Sequence, residues 1–263
     1  MKLFTFVSTL LLLTQLSFAA DTALTQELYK ESGLKEQVKL LAPTMKAQIN
    51  QAKQQDVSLQ KLPNDFMKKI DGIIDSSFQE KKLEKVLINH LNQRMSARDM
   101  KEVLAWYKTP TGKKSVQVEI EASAVDAMQE MMTYMQTLRN QPLSQNRTQL
   151  LNKFSNSLGF NERGKALAID MSTVMLLAFM NSMPAEQRPS IFTVRNQVKT
   201  QMEQNKAQFD QMTFITFAYT YHKLSDKEIN NYIRFAQSSA GKSFIRASFE
   251  ALSSAITQGM KSI

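Results

Sequence analysis

The 263-residue sequence contains no cysteine and only two histidines, His90 and His222. Without a thiol the chain has no disulfide, no thiolate metal site and no cysteine nucleophile, which excludes thiol catalysis and redox exchange. Neither histidine belongs to a zinc-binding or hydrolase motif, and no glycine-rich phosphate loop occurs. The sequence therefore predicts no catalytic residue, no metal site and no cofactor.

Glycine and proline are also scarce, with seven and six residues, which is too few for a turn-rich β protein. Alanine, leucine, lysine, glutamine and methionine are abundant instead, and all of them are good helix formers. Apolar residues recur with helical spacing, and no segment shows the alternation of a strand. We expect an all-α fold, a helical bundle of about ten helices.

Only one apolar run resembles a targeting segment. Lys2 precedes the apolar stretch Leu10–Leu13, and Ser17–Ala19 has the small-x-small pattern of a cleavage site. Residues 1–19 are therefore predicted to be a signal peptide that is removed on export to the periplasm, with a retained N-terminal anchor as the alternative. No later run reaches the ~18 apolar residues that a membrane helix needs.

Positive charge dominates: 33 basic residues against 24 acidic ones give a net charge of +9, which becomes +8 when Lys2 leaves with the signal peptide. Such a balance attracts acidic surfaces. Outside the cytoplasm we expect anionic lipid, lipopolysaccharide or an envelope protein as partner, through peripheral contact, and no nucleic acid. The alternative is a charged surface that only promotes solubility.

The second half of the sequence repeats the first. Ser96–Met100 is matched by Ser225–Ile229 at a spacing of 129 residues, and this register continues without a gap as far as Met260. Matched pairs include Trp106 with Phe235, Gly112 with Gly241 and, at a spacing of 126 residues, Gly33 with Gly159. We expect a first helical repeat over 20–140 and a second over 141–263, packed as one body.

Helix-capping chemistry explains two of the matched positions. Ser96 and Ser225 each stand three residues before a carboxylate, Asp99 or Glu228, which is the spacing of a capping box. Each should begin a short helix, followed by a long one with an apolar stripe. The predicted stripes run from Val116 to Leu138 and from Ile245 to Ile263.

Four glycines need a structural explanation. Gly33 and Gly159 are interpreted as turn residues that end a helix. Gly112 and Gly241 fall in the first turn of a helix, where glycine is about 1 kcal/mol less favourable than alanine. Close approach of another backbone or of a preceding aromatic ring would offset that cost. The rings concerned are Trp106 and Phe235.

A family resemblance rests on the segments after the two capped helices, Trp106–Lys113 and Phe235–Lys242. Each runs from an aromatic residue through Thr or Ser and a Pro or small residue to Gly and Lys. This pattern resembles the exported bacterial family called domain of unknown function 2059, in two tandem copies, although the second lacks the Tyr and the Pro. The resemblance implies a helical fold and an envelope location in Gram-negative bacteria, and no known activity.

Carboxylates and methionines are the remaining candidates for chemistry. Four carboxylates are expected on one helix as a solvated face: Glu119, Glu121, Asp126 and Glu130. The sequence indicates no second helix with a partner group for acid–base catalysis. Methionine is frequent, with 16 residues. The clusters Met128–Met135 and Met171–Met175 are expected to fill the core. The alternatives are a thioether site for Cu(I) and an adaptable groove for an apolar ligand or a partner helix.

These features predict a non-catalytic envelope protein that binds a protein or an anionic or lipidic envelope component. The candidate binding surface is a basic cluster in the first turns after the glycine junctions: Lys113, Lys114, Lys242 and Arg246. The alternatives are a methionine-lined groove for an apolar ligand or Cu(I), and an enzyme of unrecognised type. An apolar groove with one buried, convergent polar set would favour the enzyme, and a flat basic face would favour binding.

Overall fold

A computed structural model describes residues 22–55, 57–61, 64–181 and 185–260. Within these ranges the chain is helical and contains no strand, which confirms the predicted all-α class. The predicted signal peptide lies outside the described residues. The helices are α1 (22–31), α2 (Leu34–Gln55), α3 (Val57–Gln60), α4 (Asn64–Ser77), α5 (Glu80–Arg94), α6 (Ala97–Tyr107), α7 (Pro110–Ser123), α8 (Ala127–Asn140), α9 (Gln145–Leu158), α10 (Phe160–Met180), α11 (Ile191–Gln204), α12 (Lys206–Thr220), α13 (Asp226–Gln237) and α14 (Ser239–Met260). Of the helices described, none is both long and apolar enough to cross a membrane.

The predicted capping residues begin α6 and α13. The Ser96 hydroxyl accepts a hydrogen bond from the Asp99 amide, but the Asp99 carboxylate does not accept one from the Ser96 amide in return, so the box is incomplete. At Ser225 both halves are present, because the Glu228 carboxylate also accepts the Ser225 amide at 2.7 Å. The start of α13 therefore has both hydrogen bonds of a capping box, whereas the start of α6 has only one of them.

Gly33 and Gly159 end α1 and α9 in the left-handed conformation, with φ of 77° and 60°. A side chain at such a φ is strained, so glycine is the favoured residue. Both turns lead directly into a long helix, α2 or α10. The interpretation of these two glycines as helix-ending turn residues is confirmed.

Gly112 and Gly241 lie where a helix start folds back on the preceding turn. A Cβ atom at Gly112 would stand 2.3 Å from the Trp106 carbonyl oxygen, and one at Gly241 would stand 2.0 Å from that of Phe235. Thr109 and Ser238 hold these turns, since their hydroxyls accept the glycine amides at 3.0 Å. The close approach predicted at both glycines is real, and it comes from backbone atoms.

The helix predicted over the stripe from Val116 to Leu138 is wrong, because α7 stops at Ser123 and α8 starts at Ala127. Ala124 is extended, with ψ of 155°. The Thr44 hydroxyl donates to the Ser123 carbonyl at 3.2 Å, which satisfies an acceptor at the end of α7. Helix α14, which carries the second predicted stripe, is unbroken as far as Met260.

One hydrophobic core runs from Leu28 to Met260. Helix α14 packs on α5, α6 and α10, and α7 packs on α2, α12 and α13. Helices from the first half of the chain therefore pack directly against helices from the second half. The Trp106 ring, half-buried against this core, stacks on the buried Phe235 ring with centroids 4.0 Å apart. This interleaving brings side chains of α7, α12, α13 and α14 around one internal space.

Candidate functional site

A cavity of about 320 Å³ lies between α2, α7, α10, α12, α13 and α14. Its apolar wall includes Leu34, Leu158, Phe160, Leu167, Phe244, Ile245, Phe249 and Leu252. Its polar wall includes Ser32, Gln37, Tyr107, Glu119, Ser123, Thr216, Thr220, Tyr221, Tyr232 and Ser248. A mainly apolar space of this size with a few convergent polar groups is typical of a small-molecule site.

Among the residues that the structure describes, Glu119 is the only carboxylate that lines this cavity. Two tyrosine hydroxyls donate to its Oε1 atom, that of Tyr221 at 2.8 Å and that of Tyr232 at 3.0 Å. Both tyrosines are buried. Within the described residues neither a hydrogen bond to the second oxygen, Oε2, nor an ion pair to Glu119 occurs. The carboxylate is therefore fixed through one oxygen and keeps the other available.

Burial raises the pKa of Glu119 to about 7, even though hydrogen bonds from Tyr221 and Tyr232 lower it. Removal from water disfavours the charged form, and two neutral donors offset only part of that effect. Burial and the nearby Glu119 charge raise the pKa values of Tyr107, Tyr221 and Tyr232 well above their usual range. At neutral pH these tyrosines keep their protons, and Glu119 is the group that titrates.

Ser248 supplies a second polar group without a partner. Ser248 is 8 % exposed, and its buried Oγ atom makes no hydrogen bond within the described residues. A buried hydroxyl in this state is unusual in native proteins. Ser248 lines the cavity from α14, whereas Glu119 lines it from α7. The cavity thus contains two polar side chains whose hydrogen-bonding capacity the protein does not use in full.

Glu119 departs from the predicted solvated carboxylate face, because it is half-buried and lines the cavity. Glu121 fits the prediction, being exposed and paired with Lys223 at 2.7 Å, and Glu130 is exposed on a different helix, α8. A signal for Glu119 was present: it stands seven residues after Gly112, on the helical face that carries the buried Gly112 and Ser115. The tyrosines that bind it gave no comparable sequence signal.

The methionines line two further spaces. An open apolar groove of about 600 Å³ between α10, α11 and α12 is lined by Met175, Met202 and Met212. A smaller space of about 240 Å³, lined by Met128 and Met131, lies at the break between α7 and α8. It shares wall residues with the Glu119 cavity, namely Ala122, Ser123 and Thr216. Met171 and Met175 pack against the core as expected, although Met175 also lines a groove, whereas Met132 is exposed.

Only part of the predicted basic cluster is free to bind a partner. Lys114 donates to both oxygens of Glu228 at 2.9 Å, so its charge is paired. This contact, with hydrogen bonds from Ser225, lowers the pKa of Glu228 to about 2. Lys113, Lys242 and Arg246 are exposed and form no ion pair within the described residues. The described residues also contain no group of three His, Asp or Glu side chains that could hold a metal ion.

Comparison with known proteins gives one match. Residues 81–139 match the model of a family described as an uncharacterised protein conserved in bacteria, DUF2059. No curated protein and no solved structure matches the chain. The matched span, which is less than half of the chain, begins in α5 and ends in α8, so it includes Tyr107 and Glu119 but not Tyr221, Tyr232 or Ser248. In that span the chain is similar to this bacterial family, whose description names no activity.

Proposed function

We propose that this chain is a non-catalytic binding protein of the bacterial cell envelope that holds a small apolar or amphipathic molecule in the Glu119 cavity. The observation that carries the proposal is the cavity of about 320 Å³, walled by aromatic and aliphatic side chains around a carboxylate and three tyrosines. Cavities of this kind fix a ligand's orientation through a few polar groups while apolar contacts supply affinity.

Binding is favoured over catalysis because Glu119 is the one polar group of the cavity whose pKa lies near neutrality. Acid–base catalysis commonly needs a second group to complete proton transfer or to attack the substrate. The tyrosines hold their protons, and no base among the described residues is hydrogen-bonded to Ser248 to activate it. An enzyme remains the alternative because a buried, convergent polar set is present.

The test is saturable binding of n-octanol to the full chain by isothermal titration calorimetry. We expect one molecule per chain, and loss of binding in Ala122→Phe, whose ring would occupy the cavity wall. Ala105→Phe, at an exposed position of α6, is the matched control and should bind normally. Binding that is absent in the wild type, or unchanged in Ala122→Phe, would contradict the proposal. Chemical conversion of a bound probe would favour the enzyme.

The envelope location and the tandem organisation are part of the same proposal. The signal-peptide pattern of residues 1–19 supports export to the periplasm. Two copies of one helical unit are supported by the two left-handed glycines and by the two capped junctions at Gly112 and Gly241. A further point is that Glu119 and Ser248, which stand 129 residues apart, line the same cavity. N-terminal sequencing of exported protein should find Ala20 or Asp21 first.

A second candidate is peripheral binding to an anionic envelope surface or to an envelope protein. The exposed, unpaired side chains of Lys113, Lys242 and Arg246 in the described structure favour it. Binding of Cu(I) is the remaining alternative for the methionine-lined groove, which has three thioethers from Met175, Met202 and Met212 in its wall. Copper analysis after anaerobic loading distinguishes it, and we expect less than one equivalent.

A further inference from the structure

The Glu119 cavity combines an incompletely satisfied carboxylate with aromatic walls. Both tyrosine hydroxyls that reach Glu119 donate to the same atom, Oε1. An ionised carboxylate only accepts hydrogen bonds, and it can accept several on each oxygen. Oε2 can therefore accept a hydrogen bond from a molecule in the cavity, and the described part of the chain provides no donor that competes for it.

The charge of Glu119 is similarly uncompensated. Buried charges in proteins are normally paired, because removal from water is otherwise unfavourable. Burial is the largest influence on this carboxylate, and the opposing influences are the two tyrosine hydroxyls, with no contribution from a lysine, arginine or histidine. A cation that entered the cavity would therefore find an anion without a competing partner.

The rest of the cavity suits the apolar part and the positive charge of such a ligand. Aromatic rings from Phe160, Phe244 and Phe249 join the three tyrosines in its wall. The faces of aromatic rings carry negative electrostatic potential and attract organic cations. A volume of about 320 Å³ has room for roughly ten atoms of the size of water, whose share of liquid volume is ~30 Å³.

We propose that the cavity binds small amphipathic amines, with the ammonium group at Oε2 of Glu119 and the hydrocarbon part against the aromatic and aliphatic wall. This assignment rests on the ligand-binding function proposed above and specifies its ligand class. A carboxylate ligand is disfavoured because its charge would repel that of Glu119.

The experiment compares three probes of equal chain length, n-octylammonium, n-octanol and n-octanoate, on the full chain at pH 8 by isothermal titration calorimetry. We expect octylammonium to bind about tenfold to a hundredfold more tightly than octanol, the range that a charge-assisted hydrogen bond provides. Octanoate should bind more weakly than octanol. The net charge of +9 would by itself favour octanoate, so the opposite order reports on the local carboxylate.

Glu119→Gln keeps the shape of the side chain and removes its charge, so it should bring octylammonium to the affinity of octanol. Glu121→Gln, on the same helix but exposed, is the matched control and should keep the wild-type preference. The order of the three probes on the wild type remains decisive if a variant fails to fold. Octanol binding as tightly as octylammonium would overturn the amine assignment alone, whereas no binding of any probe would overturn the ligand-binding function as well.

Discussion

At the scale of single residues, the junction glycines are constrained by backbone atoms. A methyl group at either position would collide with a carbonyl oxygen that belongs to the preceding turn, Trp106 or Phe235. A backbone carbonyl in a hydrogen-bonded turn has little freedom to move, unlike the end of a flexible side chain. Glycine is therefore required at Gly112 and Gly241 because no side chain fits at either position.

We predict that Gly112→Ala and Gly241→Ala each lower the free energy of unfolding by about 1–3 kcal/mol, as overpacking typically does, and that leucine is worse at both sites. Urea denaturation measures the effect. Gly72→Ala is the matched control, because a Cβ there meets nothing within 4 Å, and alanine in a helix interior should stabilise by up to about 1 kcal/mol. Junction variants as stable as the wild type would contradict the close-approach argument.

Glu119 makes stability depend on pH. Its pKa is about 7 in the fold, against a usual value of 4.5, so between these values the folded state binds more protons than the unfolded state. Stability should therefore fall as the pH rises from about 4.5 to 7, by about 3 kcal/mol at most, and then level off.

We predict that Glu119→Gln removes this decline, so that the variant gains stability relative to the wild type as the pH rises from 5 to 8. Urea denaturation at several pH values gives the comparison. Glu121→Gln serves as control: the hydrogen bond from Lys223 lowers the pKa of Glu121, so this variant should show no relative gain at high pH. Parallel profiles for Glu119→Gln and the wild type would show that the carboxylate is not destabilised by burial.

At the scale of helices, the two capped starts differ in completeness. Ser225 takes part in a full capping box, and its partner Glu228 also binds Lys114 of α7. At Ser96 only one of the two bonds is present, in which the Ser96 hydroxyl accepts from the Asp99 amide. Helix α13 is thereby tied both to its own first turn and to a neighbouring helix.

We predict that Ser225→Ala destabilises the protein more than Ser96→Ala does. Loss of a capping hydroxyl typically lowers stability by about 1 kcal/mol, and at Ser225 the Glu228 side chain also loses a hydroxyl donor. Chemical denaturation of both variants beside Ser76→Ala, an exposed hydroxyl of α4 outside the caps, measures the difference. An equal or larger loss at Ser96 would show that the second half of the box contributes little.

At the scale of the whole molecule, net positive charge coexists with an internal acidic site. Exposed cations act over a Debye length of ~8 Å at physiological ionic strength, whereas Glu119 acts only on a ligand inside the cavity. The surface and the cavity can therefore recognise different partners, an anionic surface outside and an amphipathic amine within.

We predict that binding to anionic vesicles or lipopolysaccharide weakens as sodium chloride rises, and that Lys113→Glu combined with Lys242→Glu reduces it. Sedimentation at low and high salt is the assay. Lys82→Glu combined with Lys199→Glu changes the net charge equally at exposed positions of α5 and α11, and should reduce binding less. Binding that changes neither with salt nor in the Lys113→Glu, Lys242→Glu variant would contradict the proposal of an electrostatic binding surface.

The amino-acid sequence by itself determined the helical class, the starts of α6 and α13 and the glycine turns. Each depends on hydrogen bonds between residues within a few positions of one another, as at Ser225 and Gly159, so the local sequence contains all the partners. The resemblance to a bacterial family at Trp106–Lys113 could also be predicted from local sequence and lies within the matched span, which does not include the second segment, Phe235–Lys242.

Only the tertiary structure decided the end of α7, the pairing of Lys114 and the burial of Glu119. The donors to Glu119 stand 102 and 113 residues away in the sequence, and the partner of Lys114 stands 114 residues away. No helical periodicity indicates which distant side chain completes a hydrogen bond. Glu119 lies on a helix with many polar residues, and it lines a cavity because α12, α13 and α14 pack around it.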